Sequence, residues 1–262
     1  MNVVVFANQK GGVGKSTLSV LFAQWLAERH RQRVCVVDLD TQCNASKSLR
    51  RSNSGLHAVD LFDERAVTLP EASASSIALV AGSKRLADIE LAKPGLVIPA
   101  FRRQVGSLAD SFDAVVIDTP PALGLRMSSA LIAATHVTCP IELEEYSIDG
   151  VTDMLKTIFG IQKQYNPALR MAGIVANRFN AHSLRQKASI IELMAHYGDF
   201  VLPGKISTRS AIPEALSEGV PVWQLAKSSA RESSAEVLHV FNLLKERIDG
   251  MEMSDERKEG VL

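Results

Sequence analysis

The most constraining feature of the sequence is the segment VVVFANQKGGVGKSTLSVLFA, residues 3–23. Its first part, residues 3–7, is apolar and largely β-branched, which predicts a buried β-strand. Three glycines and two lysines follow, and from Ser16 onward apolar residues recur with helical spacing. A glycine-rich loop between a strand end and a helix start exposes backbone N–H groups at the positive end of the helix dipole. The segment therefore predicts a phosphate-binding loop.

Two side chains of this loop have the chemistry that a nucleotide requires. Lys15 supplies a point charge for the outer phosphates, and the Ser16 hydroxyl can coordinate Mg²⁺. The loop departs from the usual pattern GxxxxGK[ST], because Gln9 occupies the position of the first glycine. We expect the nucleotide to contact the loop residues Lys10, Gly11, Gly12, Val13, Gly14, Lys15, Ser16 and Thr17.

Strand-like and helix-like segments alternate along the rest of the chain. The predicted strands are residues 3–7, 33–37, 77–80, 114–117, 137–140 and 171–176, with a weaker one at 200–202. Most are short apolar runs without polar alternation, as expected for parallel strands that are covered on both faces. The predicted helices are residues 16–29, 45–50, 95–110, 124–134, 148–165, 184–196, 210–218 and 231–247. This alternation predicts an α/β fold, with a doubly wound, mostly parallel sheet and helices on both faces.

Length and composition bound the domain organisation. The chain has 262 residues, of which 46% are hydrophobic, and this is enough for a sizeable core. We expect a single nucleotide-binding domain over residues 1–248 and a flexible acidic tail over residues 249–262. Basic and acidic residues number 29 each, so no overall charge draws the chain to nucleic acid or lipid. Such a partner would need a local patch of charge.

The sequence lacks the features of a secreted or membrane-spanning protein. No apolar stretch reaches the roughly 18 residues of a spanning helix, and polar residues from Asn8 onward interrupt the first apolar run. The cysteines Cys35, Cys43 and Cys139 show no CxxC spacing, and two of them lie in apolar runs. Buried, reduced thiols are therefore expected, which favours a cytoplasmic protein.

The loop sequence KGGVGKST, residues 10–17, resembles the deviant Walker A motif of the ParA/MinD family of P-loop ATPases. The resemblance implies a P-loop NTPase fold that binds ATP and Mg²⁺, with ATP hydrolysis that is weak without a partner protein. It also implies that Lys15 contacts the ATP of its own subunit, whereas Lys10 reaches the ATP of the other subunit in a homodimer. The catalytic residues implied by this match are Lys10, Lys15 and Asp40.

Two aspartates follow the second predicted strand in VCVVDLDTQCNAS, residues 34–46. They lie at the carboxyl end of that strand, where doubly wound sheets bind ligands. Residues 38–44 resemble the family's switch I pattern, DxDPQxN. The match implies that Asp40 orients the attacking water and binds Mg²⁺ through water, while Asp38 lies behind the metal and the loop. The alternative for Asp38 is a cap on the next helix.

The segment FDAVVIDTPPALG, residues 112–124, is an apolar run that ends in Asp118. It has the form of a Walker B strand, in which Asp118 is expected to contact Mg²⁺ through water. Residues 118–121, DTPP, resemble the family's switch II, whose prolines stiffen a turn that could sense the γ-phosphate. An apolar run ending in Asp is a weak signal alone, but it becomes strong in combination with the phosphate-binding loop.

Two further segments resemble the loops that contact adenine in the family. They are GIVANRF, residues 173–179, and ISTRSAI, residues 206–212. The Asn177 side chain can both donate to and accept from adenine, with an ordinary Asx turn as the alternative. The candidate nucleotide contacts in these segments are Asn177, Arg178, Ser207 and Arg209.

Two later segments, residues 139–155 and 214–237, resemble the small plasmid-partition ATPases, especially those of the IncC type. This resemblance implies an ATP sandwich dimer that binds nucleoid DNA without sequence preference and is released when a ParB-type partner stimulates hydrolysis. The candidate DNA contacts are Arg185, Lys187, Lys205, Arg209, Lys227 and Arg231, provided that folding places them on one face. Ordinary solvated helix faces are the alternative interpretation of these residues.

Three other functions remain open at this stage. The same ATPase could position another cargo, such as a carboxysome or a chemoreceptor cluster. A membrane-surface regulator like MinD would need a basic amphipathic helix at its C-terminus, whereas residues 249–262 are acidic. A metabolic or electron-transfer enzyme is the third possibility; the iron protein type would need cysteines beside switch II, where this chain has none.

Overall fold

A single parallel sheet organises the computed structural model, which describes residues 1–65, 67–68, 73–143 and 147–259, without the side chains of residues 147–149 and 251–259. The strands within these residues are β1 (Asn2–Phe6), β2 (Val34–Asp38), β3 (Asn53–His57), β4 (Ile77–Ala81), β5 (Ala114–Asp118), β6 (His136–Glu142), β7 (Arg170–Phe179) and β8 (Val201–Ser207). Their order across the sheet is β3-β4-β2-β5-β1-β6-β7-β8. Every neighbouring pair is parallel.

Helices connect these strands. The α-helices are α1 (Lys15–His30), α2 (Asn44–Ser48), α3 (Pro94–Ser107), α4 (Leu125–Ala133), α5 (Ser147–Gln164), α6 (Leu184–Tyr197), α7 (Ala211–Glu218) and α8 (Ser228–Glu259). Short 3₁₀ helices span Arg50–Ser52, Ala58–Phe62, Lys84–Leu91, Leu108–Asp110 and Val222–Gln224.

The two faces of the sheet carry separate hydrophobic cores. Along β1, Val3 and Val5 enter one core, whereas Val4 and Phe6 enter the other. The first core packs beneath α3, α4 and α5, and the second beneath α1, α7 and α8. This arrangement confirms the predicted doubly wound α/β fold with helices on both faces. Because β1 lies between β5 and β6, the carboxyl ends of several strands meet beside the phosphate-binding loop.

An aromatic cluster ties the phosphate-binding helix α1 to the sheet and to α8. The Phe22 ring centroid lies 5.7 Å from that of Phe6, 5.6 Å from that of Trp25 and 5.2 Å from that of Phe241. Such pairs add to the burial energy of large apolar side chains. The cluster therefore helps to hold α1 in its orientation against β1.

One strand, β3, was not expected from the sequence. Its residues, NSGLH, are half exposed and contain no β-branched side chain. It lies at the edge of the sheet, where the Ser54 hydroxyl donates to the Leu79 carbonyl at 2.7 Å, and Gly55 adopts a φ of +87°. The strand therefore depends on pairing with β4 and carries no apolar pattern that could be recognised.

At the C-terminus, α8 continues to Glu259. The helical backbone thus extends into residues 249–262, the segment predicted to be a flexible tail, while residues 260–262 lie outside the described residues. Within the described part of the chain, no helix combines the length and apolar character that a membrane crossing requires.

The cysteines are free thiols, as the sequence predicts. Cys35 and Cys139 are buried in the core, and Cys43 is partly buried. Burial raises the pKa of the Cys35 and Cys139 thiols to about 12. They are therefore protonated at neutral pH and behave as small apolar side chains.

We predict that Phe22→Ala lowers the free energy of unfolding by about 3–5 kcal/mol, because it leaves a cavity inside the aromatic cluster. Phe22 is 1% exposed. Urea denaturation followed by circular dichroism measures the change. Leu184→Ala on α6 is the control, since this side chain is 81% exposed and its loss should change the free energy by less than about 0.5 kcal/mol. Equal losses for the two variants would contradict the packing argument.

Candidate functional site

The loop between β1 and α1 has a shape that requires glycine at two positions. Gly12 and Gly14 have φ values of +79° and +95°, in the left-handed region that side chains disfavour. A Cβ atom on Gly14 would also lie 2.1 Å from the Asn177 Nδ2 atom. Residue 14 must therefore be glycine if Asn177 keeps its position.

The N-terminus of α1 is suited to an anion. Gly14 is its N-cap residue, no described side chain caps the helix, and its first turn contains no acidic residue. Its leading N–H groups therefore remain available to a ligand, and the helix dipole adds positive potential.

An open cleft of about 240 Å³ lies over this helix start. It is lined by Gly11, Gly12, Gly14, Lys15, Ser16, Thr17, Asp40, Asn44 and Pro121. The structure thus brings the phosphate-binding loop together with one residue pair from switch I, Asp40 and Asn44, and one residue from switch II, Pro121. Neither Asn44 nor Pro121 was among the predicted site residues. Asn44 is the last position of the switch I pattern, so the motif could have identified it.

Lys15 places a positive charge inside the loop. The side chain is buried, and its Nζ atom donates to the Lys10 carbonyl at 2.9 Å. Burial lowers the pKa of Lys15, and the nearby carboxylates of Asp118 and Asp40 offset part of that effect. A phosphate in the cleft would favour the charged ammonium and raise its pKa again.

Lys10 differs from Lys15 in its surroundings. Its side chain is exposed at the start of the loop, next to Gly11 of the cleft. Its backbone N–H donates to the Asn8 Oδ1 atom at 2.8 Å, and Asn8 Nδ2 donates to the Pro140 carbonyl at 2.7 Å. The loop entrance is therefore fixed to β6, while the Lys10 side chain is exposed to solvent.

Asp118, the last residue of β5, is fully buried, and neither carboxylate oxygen has a hydrogen-bond partner among the described residues. Burial raises its pKa well above the usual value; repulsion by Asp38 adds to the rise, and the nearby Ser16 hydroxyl offsets part of it. An unpaired buried carboxylate is unfavourable. Donors from water molecules around a bound Mg²⁺ would satisfy it, so the residue fits the predicted metal site.

Asp38 makes a full set of hydrogen bonds to its own loop. Its Oδ1 atom accepts from the Asp40 N–H at 3.0 Å. Its Oδ2 atom accepts from the Ser46 N–H at 2.8 Å and from the Ser46 hydroxyl at 2.6 Å. Burial raises the pKa of Asp38, whereas the Ser46 hydrogen bonds act in the opposite direction. These contacts shape switch I and the start of α2, in agreement with the capping alternative, and Asp38 does not line the cleft.

Asp40 lines the cleft directly. Its Oδ1 atom accepts from the Gln42 N–H at 3.0 Å, and its carbonyl accepts from the Cys43 N–H at 3.0 Å. These two bonds hold the turn of switch I. The geometry is compatible with a carboxylate that orients water beside the phosphate-binding loop.

Asn177 and Arg178, near the end of β7, hold the phosphate-binding loop from behind. The Asn177 Nδ2 atom donates to the Val13 carbonyl at 2.8 Å. An Arg178 Nη1 atom donates to the Gly12 carbonyl at 3.1 Å and lies 3.7 Å from a Glu142 carboxylate oxygen. Neither residue lines the cleft. Their contact with adenine stays a prediction.

Ser207 and Arg209 face α8. Glu236 accepts from the Ser207 N–H at 2.8 Å, from the Ser207 hydroxyl at 2.9 Å and from Arg209 at 3.3 Å. Arg209 also pairs with Glu232 at 2.6 Å. The structure does not bring these residues to the phosphate cleft, and their proposed contact with the nucleotide also stays a prediction.

Comparisons with known proteins agree with this geometry. A family model described as an AAA domain matches residues 1–171. Protein IncC of Escherichia coli is 39% identical over 246 residues, which cover 90% of this chain and 67% of that protein. The chain belongs to the ParA/MinD family of P-loop ATPases.

Two further similarities describe its place in the ParA/MinD family. The chromosome-partitioning ATPase Soj of Thermus thermophilus is 32% identical, with coverage of 86% of this chain and 89% of Soj. The solved cobyrinic acid a,c-diamide synthase of Mycobacterium smegmatis, with bound ATP analogue and magnesium, has a TM-score of 0.75 and 25% identity over 94% of each chain. The chain falls among the ParA/Soj-type partition ATPases.

We predict that Gly14→Ala weakens the binding of a fluorescent ATP analogue by about 10- to 100-fold, since strain of about 1–3 kcal/mol corresponds to such a factor. The added Cβ must displace Asn177 or distort the loop. Fluorescence titration measures the dissociation constant. Gly12→Ala is the control, because it shares the positive φ but has no atom within 4 Å of the added Cβ. Equal losses in the two variants would show that the Asn177 contact is unimportant.

We predict that Asp118→Asn stabilises the nucleotide-free protein at about pH 8 by about 1–3 kcal/mol, because it removes an unpaired buried charge. The pKa of Asp118 is raised, so its favourable contribution is complete below the usual Asp value of 3.8 and is lost as pH rises through the raised pKa. The gain from the Asn variant should therefore shrink as the pH is lowered towards 4. Urea unfolding without Mg²⁺ measures it.

Asp113→Asn is the control for this prediction. Arg33 lowers the pKa of Asp113 through a side-chain hydrogen bond, so this carboxylate stabilises the fold above its usual pKa. Its replacement should slightly destabilise the protein at about pH 8. A destabilised Asp118→Asn variant at that pH would contradict the proposed burial of an unsatisfied carboxylate.

Proposed function

We propose that the protein is an ATP-driven DNA-segregation ATPase that acts in plasmid or chromosome partition. The observation that carries the proposal is the contrast between the two lysines of one loop: Lys15 is buried within it, and Lys10 is exposed beside it. One lysine suffices for the ATP of the same subunit, so we assign the exposed second lysine to a nucleotide on a neighbouring subunit. The similarity to IncC and Soj supports this interpretation.

Within one subunit, the phosphates of ATP would occupy the cleft over α1. The loop N–H groups and Lys15 would bind them, and the Ser16 hydroxyl would ligate Mg²⁺. Asp118 and Asp40 would hold the metal through water, which supplies the donors that Asp118 lacks. No group of three or more acidic, histidine or cysteine side chains in the described residues is arranged to hold a metal alone. This fits an ion that depends on phosphates and water for its other ligands.

Catalysis in this proposal consists of positioning and charge stabilisation. Asp40 would orient a water molecule for in-line attack on the γ-phosphate, and Lys15 would stabilise the developing charge, to which a bound Mg²⁺ would add its own positive charge. Lys10 from the other subunit of an ATP-dependent homodimer would add the last positive charge beside the γ-phosphate. Hydrolysis should therefore be weak in the monomer.

DNA binding in this proposal is non-specific and belongs to the ATP dimer. Two of the candidate cations form ion pairs within the chain: Lys227 pairs with Glu214, and Arg209 pairs with Glu232. A cation that is already paired with a carboxylate neutralises a DNA phosphate less effectively, so its binding releases fewer counterions from DNA. The remaining candidates are exposed and take no part in these two ion pairs: Arg185 and Lys187 on α6, Lys205 on β8 and Arg231 on α8.

A ParB-type centromere-binding partner would stimulate hydrolysis and release the dimer from the nucleoid, so the protein would be cytoplasmic and nucleoid-associated. The alternative is the same ATPase acting on another cargo, such as a carboxysome or a chemoreceptor cluster. Capture of the product of the neighbouring open reading frame distinguishes these cases. A MinD-like membrane regulator is less favoured, and pelleting with anionic liposomes tests it.

We predict that Lys15→Ala abolishes ATP binding, that Lys10→Ala binds ATP but does not dimerise, and that Asp40→Ala forms ATP dimers without turnover. Light scattering after size exclusion, with ATP and Mg²⁺, measures the dimer, and phosphate release measures turnover. Lys163→Ala is the control, because this exposed lysine lies at the far end of α5. Dimers that form normally in Lys10→Ala would overturn the proposed contact between subunits.

We predict that the protein binds a DNA of random sequence in the presence of ATP or a non-hydrolysable analogue, and that it does not bind this DNA with ADP. Arg185→Ala with Lys187→Ala should weaken this binding and reduce its salt dependence, whereas Lys227→Ala should have little effect. DNA binding that is equal with ADP and ATP would contradict the proposed cycle.

A further inference from the structure

Arg126, in the first turn of α4, is a buried cation outside the cleft. Its side chain is 10% exposed. The Nε atom donates to Glu90 Oε1 at 2.7 Å, and the Nη1 atom donates to the Leu39 carbonyl at 3.0 Å. The guanidinium therefore links the segment that contains Glu90 to the carbonyl of Leu39.

Glu90 belongs to the 3₁₀ helix Lys84–Leu91, which follows β4. Besides its pair with Arg126, it accepts from the Leu125 N–H at 2.6 Å. The N-cap residue of α4, Gly124, has no side chain, so Glu90 performs the capping function from a distant segment. A Cβ on Gly124 would lie 2.2 Å from the Glu90 carboxylate, so these two positions are packed together.

Leu39 is the switch I residue between Asp38 and Asp40. Its N–H donates to the Asp118 carbonyl at 2.9 Å, and its own carbonyl accepts from Arg126. The Leu39 N–H is thus bound by Asp118, which precedes the prolines of switch II, and the Leu39 carbonyl is bound by Arg126, which follows them. This arrangement fixes the residue next to Asp40, whose own N–H is bound by Asp38.

Removing an ion pair from water is costly, because desolvation opposes the attraction between its charges. In this pair the Arg126 side chain is 10% exposed and the Glu90 side chain is 30% exposed. Here the pair also makes charge-assisted hydrogen bonds to a helix start and to a loop carbonyl, which are geometrically specific contacts. None of the residues involved, Glu90, Arg126 or Leu39, lines the phosphate cleft.

We propose that Arg126, held by Glu90, is a positioning residue that sets the place of Asp40 relative to the end of β5. This inference rests on the proposed ATPase function, in which Asp40 orients the attacking water. The guanidinium acts through the Leu39 backbone, so it affects the attack on the γ-phosphate without contributing to nucleotide binding. It makes switch I and the start of α4 move as one unit.

The test is a single-turnover comparison of the wild type with Arg126→Lys. A lysine retains the charge beside Glu90 but lacks the planar fork that reaches two acceptors. We expect the hydrolysis rate to fall about 10- to 100-fold, since a displacement of about 1 Å of a positioning group costs on the order of 100-fold. The affinity for a non-hydrolysable ATP analogue should stay within about threefold of the wild type, because the phosphate cleft is unchanged.

Arg33→Lys provides the matched control. Arg33 also pairs with a carboxylate, that of Asp113, at 2.8 Å, but at the opposite ends of the strands from the cleft. It should leave both rate and affinity unchanged. Glu90→Gln is the second variant, since it preserves a cap for α4 while it weakens the pair. Combining it with Arg126→Lys should give less than the sum of the two effects.

The outcomes separate the two proposals. An inactive wild type, with ATP and Mg²⁺ bound, would contradict the proposed function itself. An active wild type with an equally active Arg126→Lys would overturn only the positioning role. A variant whose analogue affinity and urea midpoint fall along with its rate would also overturn that role, because it would indicate a merely structural residue. A lower rate with unchanged affinity supports it.

Discussion

The structure depends on opposite charges that are buried together at the carboxyl edge of the sheet without a complete set of partners. Lys15 lies within the phosphate-binding loop and Asp118 lies near it, and burial shifts the pKa of each towards its neutral form. Water does not reach them freely, and the protein supplies too few hydrogen bonds for the carboxylate. A phosphate with a hydrated cation would satisfy both groups. Burial of these two groups is thus unfavourable in the empty site, and a ligand of complementary charge would offset this cost.

The loops around this site are shaped by groups behind them. Asn177 holds the phosphate-binding loop through the Val13 carbonyl, Asp38 holds switch I through Ser46, and Arg126 holds the Leu39 carbonyl. Each contact involves a backbone group of its target residue. The side chains that line the cleft are therefore positioned by residues that do not line it themselves, as is common in preorganised sites.

The features that could be predicted are those with a local pattern. β1, β2 and β5 consist mainly of continuous apolar runs, and Asp118 ends one of them. The fold class could therefore be predicted from the sequence, whereas the metal-binding role of Asp118 stays a prediction. β3 was missed because NSGLH has no apolar period and its extended conformation depends on pairing with β4. The bonds from Asn177 to Val13 and from Arg126 to Glu90 join positions 164 and 36 residues apart. Such pairs form only when the tertiary fold brings distant residues together, so no local sequence pattern predicts them.

The hydrogen bond from the Lys15 ammonium to the Lys10 carbonyl has a consequence for the order of events. An arriving triphosphate competes for that ammonium, and the carbonyl loses its donor when the phosphate wins. On the proposed mechanism, filling the loop would remove one backbone restraint on the residue that must cross to the neighbouring subunit, while the bond from its N–H to Asn8 would persist. Phosphate binding and the backbone of Lys10 would thus be coupled through a single carbonyl oxygen.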